Sequence, residues 1–133
     1  MTKVNLDFFS WRDFLCKCGI EHDVAEIPES YQAFVLYVDQ ELRPACDFPF
    51  IVTSGWRCRE HPIEKRKRHL GPHTIAAMDV KCSHKNADKL LAQCYAGKVI
   101  TGKGVSQKGA VRFIHIDTLP AESYRPRPHI WSY

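Results

Sequence analysis

Two stretches of this chain alternate apolar and polar residues as strands do, and they set acids and histidines on that alternation. One reads Gly71-Pro72-His73-Thr74-Ile75-Ala76-Ala77-Met78-Asp79 and the other Arg112-Phe113-Ile114-His115-Ile116-Asp117. A strand sends successive side chains to opposite faces. In a strand over 76–82, Ala77, Asp79 and Lys81 share one face while Met78, Val80 and Cys82 share the other. In a strand over 110–117, Val111, Phe113, His115 and Asp117 project together, with His115 and Asp117 about 7 Å apart along the strand. The two stretches supply two histidines and two aspartates on rigid elements rather than on wandering loops.

The rest of the chain reads as a mixture of helices and short strands. Ser10 caps a short helix over 11–15, with Asp13 three residues on, and Cys18-Gly19 turns the chain. Pro28-Glu29 opens the best helix, where Tyr31, Phe34, Val35, Val38 and Leu42 form an apolar stripe and Pro44 is the expected stop. Residues 48–53 form a strand running into a turn at Ser54-Gly55 that presents Trp56 and Arg57. A basic loop covers 59–72. A second helix spans 83–96, with Ala87, Leu90, Leu91 and Cys94 on one face and Gly97 as its stop. Short strands are expected near 98–100 and 104–106, followed by a turn at Gln107-Lys108-Gly109. The proline-rich tail 124–133 should lie extended. Without regular βαβ alternation the class is α+β, a largely antiparallel sheet flanked by two or three helices.

At 133 residues the chain is about one domain long, read as a single unit over 1–133. No apolar run approaches the roughly 18 residues of a membrane span, so a soluble monomer without membrane contact is expected. The N-terminus lacks an apolar signal core, which predicts synthesis in the cytoplasm without a signal peptide. The six cysteines are then expected to be reduced. Cys16-Lys17-Cys18 could be half of a structural zinc site, but the gap is tight and no matching downstream pair follows. Thiols buried as small apolar residues are the simpler expectation.

The formal charge of +4 and pI near 8.8 draw the chain toward anionic polymers, a nucleic acid or a bacterial wall. Its densest part, Glu64-Lys65-Arg66-Lys67-Arg68-His69, reads as a solvated loop. That cluster lacks interleaved aromatics, and the chain has no helix-turn-helix or finger spacing, so nucleic acid is excluded as a partner.

A catalytic zinc takes three protein ligands, commonly two imidazoles and a carboxylate, and leaves a fourth position for water. His73, Asp79 and His115 fit that set, and Asp117 is the candidate acid beside it. Arg57, next to Trp56, can clamp a carboxylate or polarise a carbonyl bidentately. His22, His61, His69, His84 and His129 fall in loops or tails, where solvated histidines are the rule.

The order Thr53-Ser54-Gly55-Trp56-Arg57-Cys58-Arg59-Glu60-His61, then His73 to Asp79, then Phe113-Ile114-His115-Ile116-Asp117, then Arg127-Pro128 and Trp131-Ser132-Tyr133 resembles the zinc D-alanyl-D-alanine carboxypeptidase family. More narrowly, it resembles the small phage and bacterial peptidase branch, which shares its fold with the hedgehog signalling domain. The resemblance covers residues 8–133. It implies a zinc peptidase that cuts bonds next to D-amino acids in peptidoglycan stem peptides, plausibly a phage lysin acting at the cell wall or periplasm after release. It also implies one zinc ion on His73, Asp79 and His115, Arg57 and Trp56 at the substrate, and Asp117 as base or as support for His115.

Two departures bear on that expectation. The interval from His73 to Asp79 is one residue shorter than the family pattern, so the loop after His73 must absorb the deletion if Asp79 is to keep its face. Where relatives carry a carboxylate three residues before the last histidine, this chain has Arg112, which cannot act as a base. A catalytically inactive wall-binding or phage structural module that retains the fold is the alternative these departures raise.

Overall fold

Alternation over 77–81 and 113–117 produces the two strands on which the sheet is built. In the computed structural model, which describes residues 4–133, the strands are β1 (Ile51–Ser54), β2 (Ala77–Lys81), β3 (Gly102–Ser106), β4 (Phe113–Asp117) and β5 (His129–Ser132). Their order is β1-β2-β4-β3-β5, antiparallel throughout except for the parallel pair β3 and β5. The α+β class and largely antiparallel sheet are as the sequence implies.

Register fixes what each face carries. Asp79 lies opposite His115, which lies opposite Gly104, which lies opposite Trp131; Ala77, Asp117, Gly102 and His129 form the adjacent row. Directly opposed residues point to the same side. One face therefore gathers Asp79, His115, Asp117 and Trp131. The other turns Met78, Val80, Ile114 and Ile116, all fully buried, against the helices.

Those helices are α1 (Glu29–Tyr37), α2 (Arg43–Cys46), the single turn α3 (Pro72–Ile75) and α4 (His84–Gly97). Tyr31, Phe34 and Val35 of α1 and Leu90 and Cys94 of α4 enter the core, as their spacing requires. Ser10 and Asp13 form a reciprocal capping box on a 3₁₀ turn over Trp11–Phe14.

Several boundaries differ from expectation; α4, for one, runs through Gly97 and is capped by Lys98 at φ +60°. Pro44 does not stop the helix: the chain widens into a π-helical stretch at Val38–Leu42, continues through Pro44 and ends after Cys46 at Asp47, whose φ is +59°. Pro44 sits in the first turn of α2, where its missing N–H costs little. A single strand, β3, replaces the two short ones expected around 98–106. The extended tail closes the sheet as edge strand β5, because its 129–132 portion is free of proline and can pair with β3.

The π-helical stretch carries Asp39, 1 % exposed, whose carboxylate accepts the backbone N–H groups of Asp7 at 3.0 Å and Phe8 at 2.8 Å. This charge-assisted staple fixes the N-terminal segment. Asp39→Ala is expected to lower the free energy of unfolding by about 1.5–3 kcal/mol, the range for hydrogen bonds to charged groups. Urea unfolding followed by tryptophan fluorescence measures it, as a lower midpoint at unchanged slope.

Candidate functional site

His73 stands on α3, Asp79 at the centre of β2 and His115 at the centre of β4. The segment before β2 is not strand, as alternation had suggested, but a single helical turn that ends at Ala76 with φ −169° and ψ 72°. The shortened interval is thus absorbed before the strand begins, and Asp79 keeps the face it shares with His115.

The three side chains converge. His73 Nε2 is 3.3 Å and His115 Nδ1 3.1 Å from the same Asp79 oxygen, Oδ1. Each imidazole has its other nitrogen engaged: His73 Nδ1 lies 2.9 Å from the Gly55 carbonyl oxygen, and His115 Nε2 lies 2.8 Å from Asp117 Oδ2. Both of those partners are acceptors, so in the tautomer that would bind a metal each ring presents its proton to them. The inward nitrogens then carry lone pairs, as does Asp79 Oδ1.

In that tautomer three electron-pair donors face one another, a grouping that a proton on His115 Nδ1 or a metal ion among them would reconcile. For a tetrahedral ion bound at about 2.0–2.1 Å, adjacent ligand atoms lie about 3.3–3.4 Å apart, close to the separations seen. His73, Asp79 and His115 could hold a divalent ion with no change of rotamer.

The same groups are held to one another by hydrogen bonds and charge. Burial pushes the His73 imidazole below its ordinary 6.5, against the opposing pull of Asp79, and keeps it neutral. Burial also disfavours charge on His115, but its bonds to Asp117 and Asp79 outweigh this and raise it. Asp79 is buried, which would raise its carboxyl, yet the two imidazoles hold it well below the usual carboxylate range. It is ionised at any physiological pH.

Asp117 is fully buried and its two oxygens are taken. Besides His115 Nε2, they accept two bonds from Arg127, Nε to Oδ1 at 3.0 Å and Nη2 to Oδ2 at 2.8 Å, and the Leu119 N–H at 3.3 Å. Burial would raise this carboxyl, but the His115 and Arg127 bonds bring it down to about 2. Glycines on β3 make the room: a Cβ on Gly102 would lie 2.3 Å from the Asp117 carboxylate, and one on Gly104 would lie 2.7 Å from the Trp131 ring. Trp131 in turn flanks His115, ring centres 5.2 Å apart, and lies under the Arg127 guanidinium.

Arg57 follows β1, tied to α3 by its N–H to the His73 carbonyl at 2.9 Å. Its Nη1 lies 3.3 Å from Glu64 Oε2, which also binds Lys67 Nζ at 3.0 Å, while the Thr74 hydroxyl donates to Oε1 at 3.2 Å. The basic loop is therefore wrapped around one buried acid, Glu64. Trp56, expected at the substrate, is instead 6 % exposed and packs edge-on against His22, because the turn after β1 points it into the core. Arg112 turns away from the site and donates to His84 Nε2 at 3.0 Å. His69 stacks on Tyr124 and His129 on Trp131.

Sequence reasoning missed Arg127 as the partner of Asp117, Trp131 as the aromatic beside His115, and a second donor cluster. Cys46, Cys82 and Cys94 are core residues as expected, but Cys16, Cys18 and Cys58 meet His22 within one small volume. Forty residues separate Cys18 from Cys58, so no spacing rule joins them.

Residues 8–117 match the family model described as Peptidase M15. No curated protein and no solved structure matches the chain. Among the described residues, no helix is long and apolar enough to cross a membrane.

Glu64 generates a pH test. Burial would raise its carboxyl, but Lys67 and Arg57 outweigh that and hold it below the ordinary 4.5. A depressed carboxyl stabilises the fold above its unfolded pKa and loses that contribution as pH falls through the folded one. Glu64→Gln should therefore be less stable than the parent at pH 7, with the gap closing below pH 4.5; paired urea titrations across that interval measure it.

Proposed function

The chain belongs to the Peptidase M15 family and is thereby a metallopeptidase; from that premise we propose a zinc enzyme that cuts peptide bonds beside D-amino acids in peptidoglycan stem peptides, as a phage lysin or wall-remodelling peptidase would. The observation that carries the reading is the convergence of His73 Nε2, His115 Nδ1 and Asp79 Oδ1, two imidazole nitrogens and a carboxylate oxygen within reach of one ion. The ordered motif series and the +4 charge, suited to an anionic wall, favour this substrate class.

A zinc ion there would supply Lewis acidity and a bound water acidified toward neutrality. The chain's own residues do the rest. Asp117 acts as a positioning residue: it keeps the proton on His115 Nε2 and so aims the Nδ1 lone pair at the metal. Arg127 keeps that carboxylate charged. Arg57, braced by Glu64, offers its guanidinium to the substrate's carbonyl or terminal carboxylate. A groove of about 500 Å³, lined by Gly71 and Pro72 beside His73 and by Tyr124, Arg127 and Trp131, would seat the peptide.

A second reading rests on one observation. Of the two positions where a proton-shuttling carboxylate is expected, one is Arg112, turned toward His84, and the other is Asp117, with both oxygens engaged. A wall-binding module that keeps the metal but not turnover fits this.

The deciding experiment incubates purified protein with insoluble peptidoglycan and counts newly released amino groups. Release that a chelator stops, zinc restores and His115→Ala abolishes is expected. Binding to walls with no release under any metal condition establishes the second reading instead. In the first case Arg57→Ala should lower kcat/KM by about 10²–10³, the usual cost of a lost electrostatic donor, and Arg57→Lys should not restore it.

The role of Asp117 has its own test. Asp117→Asn should weaken zinc affinity by about 10–100-fold, as loss of a ligand's supporting hydrogen bond does, measured by competition with a chromophoric chelator. Unchanged affinity with lost turnover would make Asp117 a proton-transfer residue.

A further inference from the structure

We propose that Cys16, Cys18, His22 and Cys58 form a second metal site, a closed structural zinc centre that clamps the irregular N-terminal segment to the turn carrying Arg57. The site is independent of the peptidase reading.

The geometry is that of a coordination shell. One ligand atom from each of the four residues lies within 4.8 Å of all the others. Cys16 Sγ and Cys58 Sγ are 3.5 Å apart, Cys58 Sγ and Cys18 Sγ 3.6 Å, and Cys18 Sγ and His22 Nε2 3.1 Å. Zinc–sulfur bonds of about 2.3 Å at tetrahedral angles put sulfurs about 3.8 Å apart, so a small expansion admits the ion. Three thiolates and an imidazole complete a tetrahedron and leave no open position, the mark of a structural rather than a catalytic zinc.

The surroundings are those of bound ligands. The outer nitrogen of His22, Nδ1, lies 3.1 Å from Glu26 Oε1, which fixes the ring with Nε2 toward the sulfurs. The Cys58 backbone N–H donates to Cys16 Sγ at 3.3 Å, a bond that a thiolate accepts better than a thiol.

A disulfide accounts for less. Cys58 is almost equally distant from two sulfurs, and bonding to one at about 2.05 Å would strand the other and leave His22 without a role. The segment also needs a fastening: between the 3₁₀ turns Trp11–Phe14 and Val24–Glu26 the chain forms neither helix nor strand.

Cobalt(II) replacement of zinc in the full-length protein separates this site from the other, because only this one contains sulfur. A thiolate-to-cobalt charge-transfer band in the near ultraviolet is expected, and it should persist in His115→Ala and vanish in a Cys18→Ser/Cys58→Ser variant. Zinc content by plasma mass spectrometry should be two per chain in the parent and one in each of those variants. Should the cysteine variant fail to fold, the thiolate band of the cobalt-loaded parent still decides. Cobalt-loaded parent with no thiolate band, or a Cys58 disulfide to Cys16 or Cys18 in freshly purified protein, overturns the proposal.

Discussion

The structure turns on one shared carboxylate oxygen. Antiparallel pairing of β2 and β4 sets Asp79 against His115, and α3 brings His73 to the same carboxylate oxygen, so three electron-pair donors occupy a space that suits a positive charge. Buried this deeply, they cannot each turn to water. Much of the surrounding sequence serves to hold that grouping together. The apolar face of the same strands locks the register, since a slip by one residue would carry Met78 and Ile116 out of the core.

Hydrogen bonds then remove the remaining freedom. Arg127 grips Asp117, Asp117 takes the His115 proton, and Gly55 takes the His73 proton. Each ring is left with one direction. Asp117 is thus defined by what surrounds it: a carboxylate with every oxygen occupied orients its neighbours and has no lone pair aimed at the open side. The glycines of β3 belong to the same device, because any side chain at Gly102 would displace the Asp117 carboxylate.

How much of this the sequence disclosed follows from the range of each interaction. Strand alternation is local, so the shared face of Asp79, His115 and Asp117 was legible, as were the buried stripe of α1 and the capping box at Ser10. The short interval after His73 looked like a threat because a deletion inside a strand reverses a face. That the chain spends those residues on a helical turn is set by packing, which alternation does not report. Pro44 misled for a similar reason: a proline ends a helix unless the backbone upstream widens to receive it. Arg127, Trp131 and the His22–Cys58 cluster depend on contacts between distant segments. Adjacency suggests that Trp56 and Arg57 act as a pair, but neighbouring side chains on an extended turn point opposite ways, and Arg57 stays partly exposed while Trp56 is buried.

That turn, residues 55–58, is where the two proposed metal centres meet. Gly55 supplies the carbonyl that orients His73, Trp56 packs on His22, the Arg57 N–H bonds the His73 carbonyl, and Cys58 provides a sulfur to the other cluster. Four consecutive residues thus touch one centre or the other in alternation with the chain's own direction. A metal on the cysteines fixes the Cys58 end, β1 fixes the Gly55 end, and the peptide between them has little room to move. Arg57 gains a defined origin from this, and its guanidinium is held by Glu64. On this view the N-terminal segment is part of the site's framework: it limits where Arg57, the arginine proposed to meet the substrate, can stand.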